Sequence, residues 1–559
     1  MVTYTHTAPA ERALHDQVNI LPRRQLLVVF ATLSATLLIT FIDQNGISIA
    51  LPTIAADLGA GETISWAGTS SLLANTAFQM LYGRLSDIFG RKTIFLTAVA
   101  LLTVADLLCG LAQNPAMFYV FRGVAGIGGG GITNLAMIIV SDVVTLEQRG
   151  KYQGIIGAMV GLGNVGGPFL AAAIVERTGS WRAFFYMLTP LCAIAGIVSY
   201  FYLPDKPPPD SFKASVAKID FAGSFTSTLG IIFILIPISG GGSYLEWKSP
   251  LVISMLTIGA LSMVTFVLIE WKLAKLPMMP VSIFQNRVVV VMLIQSFLFG
   301  AVYQSYLYYI PLYLQNAHRF SVLESAAIYV SLVAFQTLLS VLSGQYISRR
   351  KRYGEVLWTG FSMWTLGAGL TLLYDRTSSR GVIIGPLILI GIGVGCIFQP
   401  TLVALQAWSA KSRRAVIISN RNFFRCAGGA VGLAVSAAVL QSTLRGHLPS
   451  HLSYLAESTY TLPSDLNLSA TDMDSLLDSY MYASRAVFIL QVPLIGLCLI
   501  GCLMIRDRGL EPIDDETSVK EKAEQSSNSD GSDFGTEPQE SHFWERQDPT
   551  EARKSVSAA

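Results

Sequence analysis

The chain has 559 residues, 52% of them hydrophobic and only 14% charged, with a mean hydropathy of +0.50. Soluble proteins carry about a quarter of their residues as Asp, Glu, Lys and Arg, so a water-soluble surface of this composition would be abnormally apolar. That excludes a soluble enzyme, a secreted disulfide scaffold and a disordered protein, and a net charge of +2 gives no basis for a nucleic-acid partner.

The first 25 residues are polar, and the apolar run that follows is too long for a cleavable signal peptide. Windows of about 20 apolar residues predict fourteen spanning helices, near 26–49, 64–83, 94–112, 117–140, 152–175, 183–203, 219–239, 250–271, 288–313, 322–345, 356–374, 382–405, 415–440 and 483–505. The loops after even-numbered spans carry clusters such as Arg84, Arg91, Lys92 and Arg349, Arg350, Lys351, Arg352, whereas 50–63 and 113–116 carry no Lys or Arg. By the positive-inside bias both termini are cytoplasmic. The fold class expected is an all-α polytopic membrane protein. Its parts are a cytosolic tail (1–25), a six-helix half (26–203), a stiff proline-rich linker (204–218), an inserted pair (219–271), a second six-helix half (288–505) and a disordered cytosolic tail (506–559). The sequon Asn467-Leu468-Ser469 lies in the long loop 441–482, placed outside by this topology, and makes Asn467 a glycosylation candidate.

No Gly-x-x-x-x-Gly-Lys-Ser/Thr is present to cradle ATP phosphates. The glycine run Gly126–Gly131 sits inside an apolar span and reads as a thin helix face for close packing. All six cysteines fall in apolar stretches, and all six histidines are assigned to tails or loops. No cofactor and no metal are expected. What remains is a secondary transporter whose partners are a small-molecule substrate, protons and the lipid bilayer, expected as a monomer.

After the second span comes Gly83-Arg84-Leu85-Ser86-Asp87-Ile88-Phe89-Gly90-Arg91-Lys92. This resembles the signature loop of the major facilitator superfamily, with Gly83, Asp87, Gly90 and Arg91 as its gating motif. Two glycines permit a tight turn, and Asp87 offers charge to nearby cations and helix ends. A degenerate copy, Leu342–Arg352, pairs Gly344 with Gly83, Ser348 with Asp87 and Arg352 with Arg91, as expected of two related six-helix halves.

The first span ends with Asp43-Gln44-Asn45 and then Ala50-Leu51-Pro52, and it resembles the first-span motif of the fourteen-span drug:proton antiporters. A carboxylate at membrane depth costs about 3 kcal/mol and is functional by default. Asp43 is thus the leading proton or cation site, the alternative being a capping residue near the outer interface. Arg122, followed by Gly126 and Gly128, resembles the fourth-helix motif of the superfamily, with Ala125 where the family usually has Gln. Asp43 is its natural partner and Asp106 another, so Asp43, Arg122 and Asp106 form the expected proton-coupling set; the alternative is an arginine that snorkels outward.

Span five carries Gly157 and Gly161–Pro168, resembling the antiporter motif through Gly163, Gly167 and Pro168. Trp181–Phe185 and Pro277–Arg287 also resemble the fourteen-span family. A substrate pocket is expected from Gln44, Gln295, Tyr303, Gln304, Tyr308 and Gln399, although Tyr308 and Tyr309 also suit the interfacial aromatic belt. Arg421 and Arg425, with Asn420 and Asn422, are read as cytoplasmic gate residues. The resemblance implies proton-driven export of amphipathic drugs, toxins or secondary metabolites, from the plasma membrane rather than the vacuole. The alternatives are a transporter of a basic amino acid or iron chelate, and a non-transporting sensor on the same scaffold.

Overall fold

The computed structural model describes residues 21–60, 63–64, 66–206, 211–240, 246–410, 413–449, 451–452 and 469–510. Asn467 and the tail from 511 onward lie outside these. Among the described residues fourteen long helices are found and no strand: α1 (Arg23–Leu58), α2 (Trp66–Phe89), α3 (Arg91–Gly110), α4 (Pro115–Val143), α5 (Leu146–Thr178), α6 (Arg182–Tyr202), α7 (Phe221–Gly240), α8 (Pro250–Lys272), α9 (Arg287–Asn316), α10 (Val322–Arg350), α11 (Gly354–Leu370), α12 in two pieces (α12a, Arg380–Ile397; α12b, Pro400–Ala407), α13 (Arg414–His447) and α14 (Ala470–Gly501). Thirteen of them are long and apolar enough to cross a membrane; α2 falls short in hydropathy because it carries residues such as Asn75, Gln79, Arg84 and Asp87.

Three boundaries depart from the sequence reading. Helix α1 runs nine residues past its predicted end, so Asp43 lies mid-helix rather than near a terminus. The outer loop 441–482 is shorter than expected, because α13 extends to His447 and α14 begins at Ala470. His447 therefore closes a helix instead of sitting in a loop. The predicted span 382–405 is interrupted at Phe398–Gln399, ahead of Pro400, which has no N–H to continue the ladder.

Within the first half α1 packs on α5, α2 and α3 flank α4, and α3 packs on α6; in the second, α9 packs on α13 while α10 and α11 flank α12. The glycines of α4 permit its approach to both neighbours: a Cβ on Gly126 would lie 2.2 Å from Ser71 O of α2, and one on Gly128 2.7 Å from Leu102 N of α3. The thin helix face expected at Gly126–Gly131 is present. The two halves meet along α5/α10 and α2/α13, and α7 of the inserted pair leans on the α2/α13 seam.

Both copies of the loop motif place their first glycine on these seams. A Cβ on Gly83 would lie 2.4 Å from Ser419 Oγ of α13, and one on Gly344 2.2 Å from Gly150 O of α5. Beyond Gly344 the seam continues with the Ser340 hydroxyl donating to Gly154 O, and at its cytosolic end the Lys151 N–H donates to Ser348 Oγ. Gly90 has φ 91°, open only to glycine without strain, and joins α2 to α3.

The remaining motifs act as struts. Trp181 Nε1 and Arg182 Nη1 both donate to Asp57 Oδ2, at 3.1 and 2.5 Å, tying the outer ends of α1 and α6. The Arg182 hydrogen bond holds the Asp57 carboxyl below its usual range, so this half-exposed tie persists above pH 3.8 and loosens only under stronger acid. On the cytosolic side Glu270 accepts the N–H groups of Met278 and Met279, while Arg84 Nε donates to Pro277 O and Asn420 Nδ2 to Met278 O. The Pro277–Met279 segment thereby anchors α8 to α2 and α13.

Gly344→Ala drives a methyl into the α5 backbone and should weaken the closed seam by about 1–3 kcal/mol. Cysteines introduced as Lys151→Cys and Ser348→Cys should then cross-link in lower yield than on the native background, with the amount of protein in the membrane unchanged.

Candidate functional site

The centre of the first half holds three ionisable groups from three helices. Asp43 of α1 and Arg122 of α4 are each 1% exposed, and Arg122 Nη1 donates to Asp43 Oδ1 at 2.8 Å. Asp106 of α3 is fully buried beside them. The thiol of Cys192 points at its Oδ2 from 3.9 Å. Asp43 Oδ2 and Asp106 Oδ1 are buried without a donor. All three residues singled out as a proton-coupling set are therefore brought together. Arg122 does not snorkel to an interface, and Asp43 does not cap a helix. At the position where the wider family has Gln, buried Ala125 offers no polar group.

The arithmetic of the cluster is one guanidinium against two carboxyls. One carboxylate is neutralised by Arg122; a second in the same dry space has no cation among the described residues. Two carboxyl groups in one site do not both ionise freely, and a single proton between them satisfies both orphan oxygens.

A polar chain crosses from this half into the other. Asn45, next but one to Asp43, donates to Asn164 Oδ1 at 3.0 Å; Asn164 Nδ2 reaches Tyr303 Oη of α9 at 2.8 Å; and Tyr303 pairs with Gln336 of α10. Asn164 stands inside the antiporter-like motif of α5, where the sequence reading singled out the flanking glycines and proline. Those have packing roles: a Cβ on Gly163 would lie 2.4 Å from Phe41 Cβ, and one on Gly167 2.7 Å from Ile42 O, both on α1. Helix α5 runs through Pro168 without a break.

The proposed substrate residues divide. Tyr303 and Gln399 face the α5/α10 seam, Gln399 with its Cγ 2.8 Å from where a Gly157 Cβ would stand. Gln304 packs beside Gly429 of α13, and Gln44 beside Gly129 of α4, both half-buried. Tyr308 is half-buried with its ring edge-on to Tyr309. Gln295 does not join them, because its amide donates to Cys498 O of α14 on the far side of α9.

The gating motif is also assembled, with a different division of labour from that expected. Asp87 pairs with Arg91 at 2.7 Å and with Arg84 at 3.7 Å, and Arg91 also pairs with Asp142 of α4 at 2.9 Å. These ion pairs join α2, α3 and α4 within one half. The ties between halves are made by others: Asn134 Nδ2 to Ser419 Oγ, Asn422 Nδ2 to Asn134 Oδ1, Arg149 to Gln406, and Lys351 to Glu147. They run from the Lys/Arg-rich helix ends inward to Asn164–Tyr303. The halves are sealed on that side.

A polytopic helical protein of two packed halves with buried charge at their centre is a membrane transporter, and the comparisons agree. The Major Facilitator Superfamily model matches residues 33–433, and the chain belongs to that superfamily. It is similar to "Citrate exporter 1" of Yarrowia lipolytica, 48% identical over 504 residues covering 89% of this chain and 75% of that one. It is also similar to "Efflux pump FUS6" of Gibberella fujikuroi, 31% identical with 90% of this chain and 93% of that one covered. Among solved structures, the human organic anion transporter MFSD10 shares the fold at TM-score 0.57 and 14% identity, covering 86% of this chain and 100% of that one.

Breaking one side of the buried pair leaves an uncompensated charge, which costs about 3–5 kcal/mol. Arg122→Gln should therefore lower the melting temperature more than Arg122→Gln combined with Asp43→Asn, and thermal unfolding of the purified variants measures the difference.

Proposed function

We propose that this protein exports small organic molecules by alternating access, driven by protons that enter through the Asp43–Arg122–Asp106 cluster. One observation carries the reading: two carboxyls share a buried site with one guanidinium, leaving one oxygen of each without a donor. A proton arriving there neutralises one carboxyl and loosens the hold on Arg122. The Asn45–Asn164–Tyr303 chain offers a path by which that change is felt at the seam between the halves. Export rather than import is supported by the antiporter-like helix α5 and by the relatives named as exporter and efflux pump. The plasma membrane is the expected site, and Asn467 the expected glycosylation position.

Cargo that is amphipathic fits the aromatic wall of Phe299, Tyr303 and Phe398, whose rings lie 5.6–6.4 Å apart. A basic amino acid fits less well, since the polar residues at the seam are amides, phenols and arginines. The reading is tested in proteoliposomes under an imposed pH gradient, following internal pH and the efflux of a lipophilic dye or an organic acid. Asp43→Asn should reduce pH-driven flux per inserted molecule by about a hundredfold, the loss of a coupling step rather than of binding, with membrane insertion kept and the melting temperature lowered because Arg122 is left without its partner. A variant that keeps proton-driven flux removes Asp43 from the coupling site, and a sodium gradient that replaces the proton gradient removes the proton.

A further inference from the structure

Helix α13 carries two arginines one turn apart, Arg421 and Arg425, and neither has an acidic partner among the described residues. Arg421 is 1% exposed. Arg149, equally buried without an acid, shows what a purely structural arginine looks like here: Nε, Nη1 and Nη2 all donate to fixed oxygens of Ser141 and Gln406. Arg421 differs. It donates Nη1 to Asn422 Oδ1 and Nη2 to the Phe398 carbonyl, and its Nε is buried without an acceptor. Arg425 leaves its Nε buried without an acceptor as well, and its Nη2 reaches only the Cys426 sulfur at 3.5 Å. Both guanidiniums stack on the same ring, 5.2 and 5.4 Å from the centroid of Phe398.

The opposing wall is incomplete in a complementary way. The break in α12 lets Leu402 N–H bond Gln399 O, so the Phe398 carbonyl is left for Arg421. Gln399, 1% exposed, has both its amide nitrogen and its amide oxygen buried without a partner. Interrupted helices of this kind at membrane depth occur where they line a site. Two like charges held together in a low-dielectric interior need an anion, and the planar guanidinium fork matches carboxylate oxygens.

We propose that Arg421 and Arg425, stacked on Phe398, bind a small organic acid carrying at least two carboxylates, with Gln399 meeting its remaining polar group. Phe398, Phe299 and Tyr303 pack the carbon skeleton. This rests on the exporter reading for its physiological role, but binding can be measured without transport. The site lies in the second half, the proton cluster in the first, so the two are separable.

The test uses the purified full-length protein in detergent with labelled citrate and succinate as probes, at constant ionic strength set with sodium chloride. Citrate should raise the melting temperature of the native protein. Arg421→Gln and Arg425→Gln should each weaken citrate binding by about tenfold or more. Lys151→Gln, on the exposed seam, should leave binding near native. Arg425 is half-buried, so its variant decides the matter where Arg421→Gln fails to fold. The proposal is overturned where the native protein binds neither acid, where the foldable arginine variants bind them as well as the native protein does, or where inorganic phosphate binds as tightly as citrate. Citrate binding without pH-driven flux would sink the coupling reading and leave this site standing; proton-driven dye efflux without citrate binding would do the reverse.

Discussion

Charge placed where water is absent has to be answered by charge or by a proton, and this constraint organises the molecule. In the first half the answer to Asp43 is Arg122 at 2.8 Å, drawn from a helix 79 residues away. Everything around that contact serves closeness. The glycines of α4 admit α2 and α3, those of α5 admit α1, and the cluster comes together only because the backbones stand so near. Asp106 then makes the balance uneven, two carboxyls against one guanidinium.

The second half carries the opposite imbalance. There the surplus is positive, on Arg421 and Arg425, beside an interrupted helix with an unpaired amide. Between the two lies a bridge of amides and a phenol, Asn45–Asn164–Tyr303–Gln336, every member of which is partnered. A satisfied polar network of this kind is rigid. The seal on the cytosolic side is built differently, from glycine against backbone and from short polar ties, the buried Arg149–Gln406 contact among them.

The inserted pair α7 and α8 leans on the same seam that Gly83 and Ser419 close, and Glu270 fastens the segment after it to Arg84 and Asn420 through Pro277–Met279. The extra helices are thus mechanically joined to one of the two surfaces along which the halves meet. The motif loop acts in the same spirit: Asp87 and Arg91 tie together three helices of one half.

Much of this was legible in the chain itself. Hydropathy located most of the helices, thirteen of them long and apolar enough to span, because a lipid-facing span must be apolar over about 20 residues. Asp43, Arg122 and Asp106 stood out because ionisable groups are rare in such segments, and the loop glycines because few sequences repeat that spacing at 83 and again at 344. The interruption of α12 was not read, although Gln399-Pro400 marked it, since an apolar window passes over a single proline. Helix ends at Leu58 and Ala470 were missed for a related reason: they project beyond the apolar core, where hydropathy carries no signal. Gln295 looked like its neighbours on α9 yet turns to α14, and the arginines of α13 looked like gate residues. Which of two similar polar side chains meets a partner is a matter of helix rotation and neighbour identity. Composition decides that charge is buried; only the packing of helices distant in sequence decides whether that charge is answered.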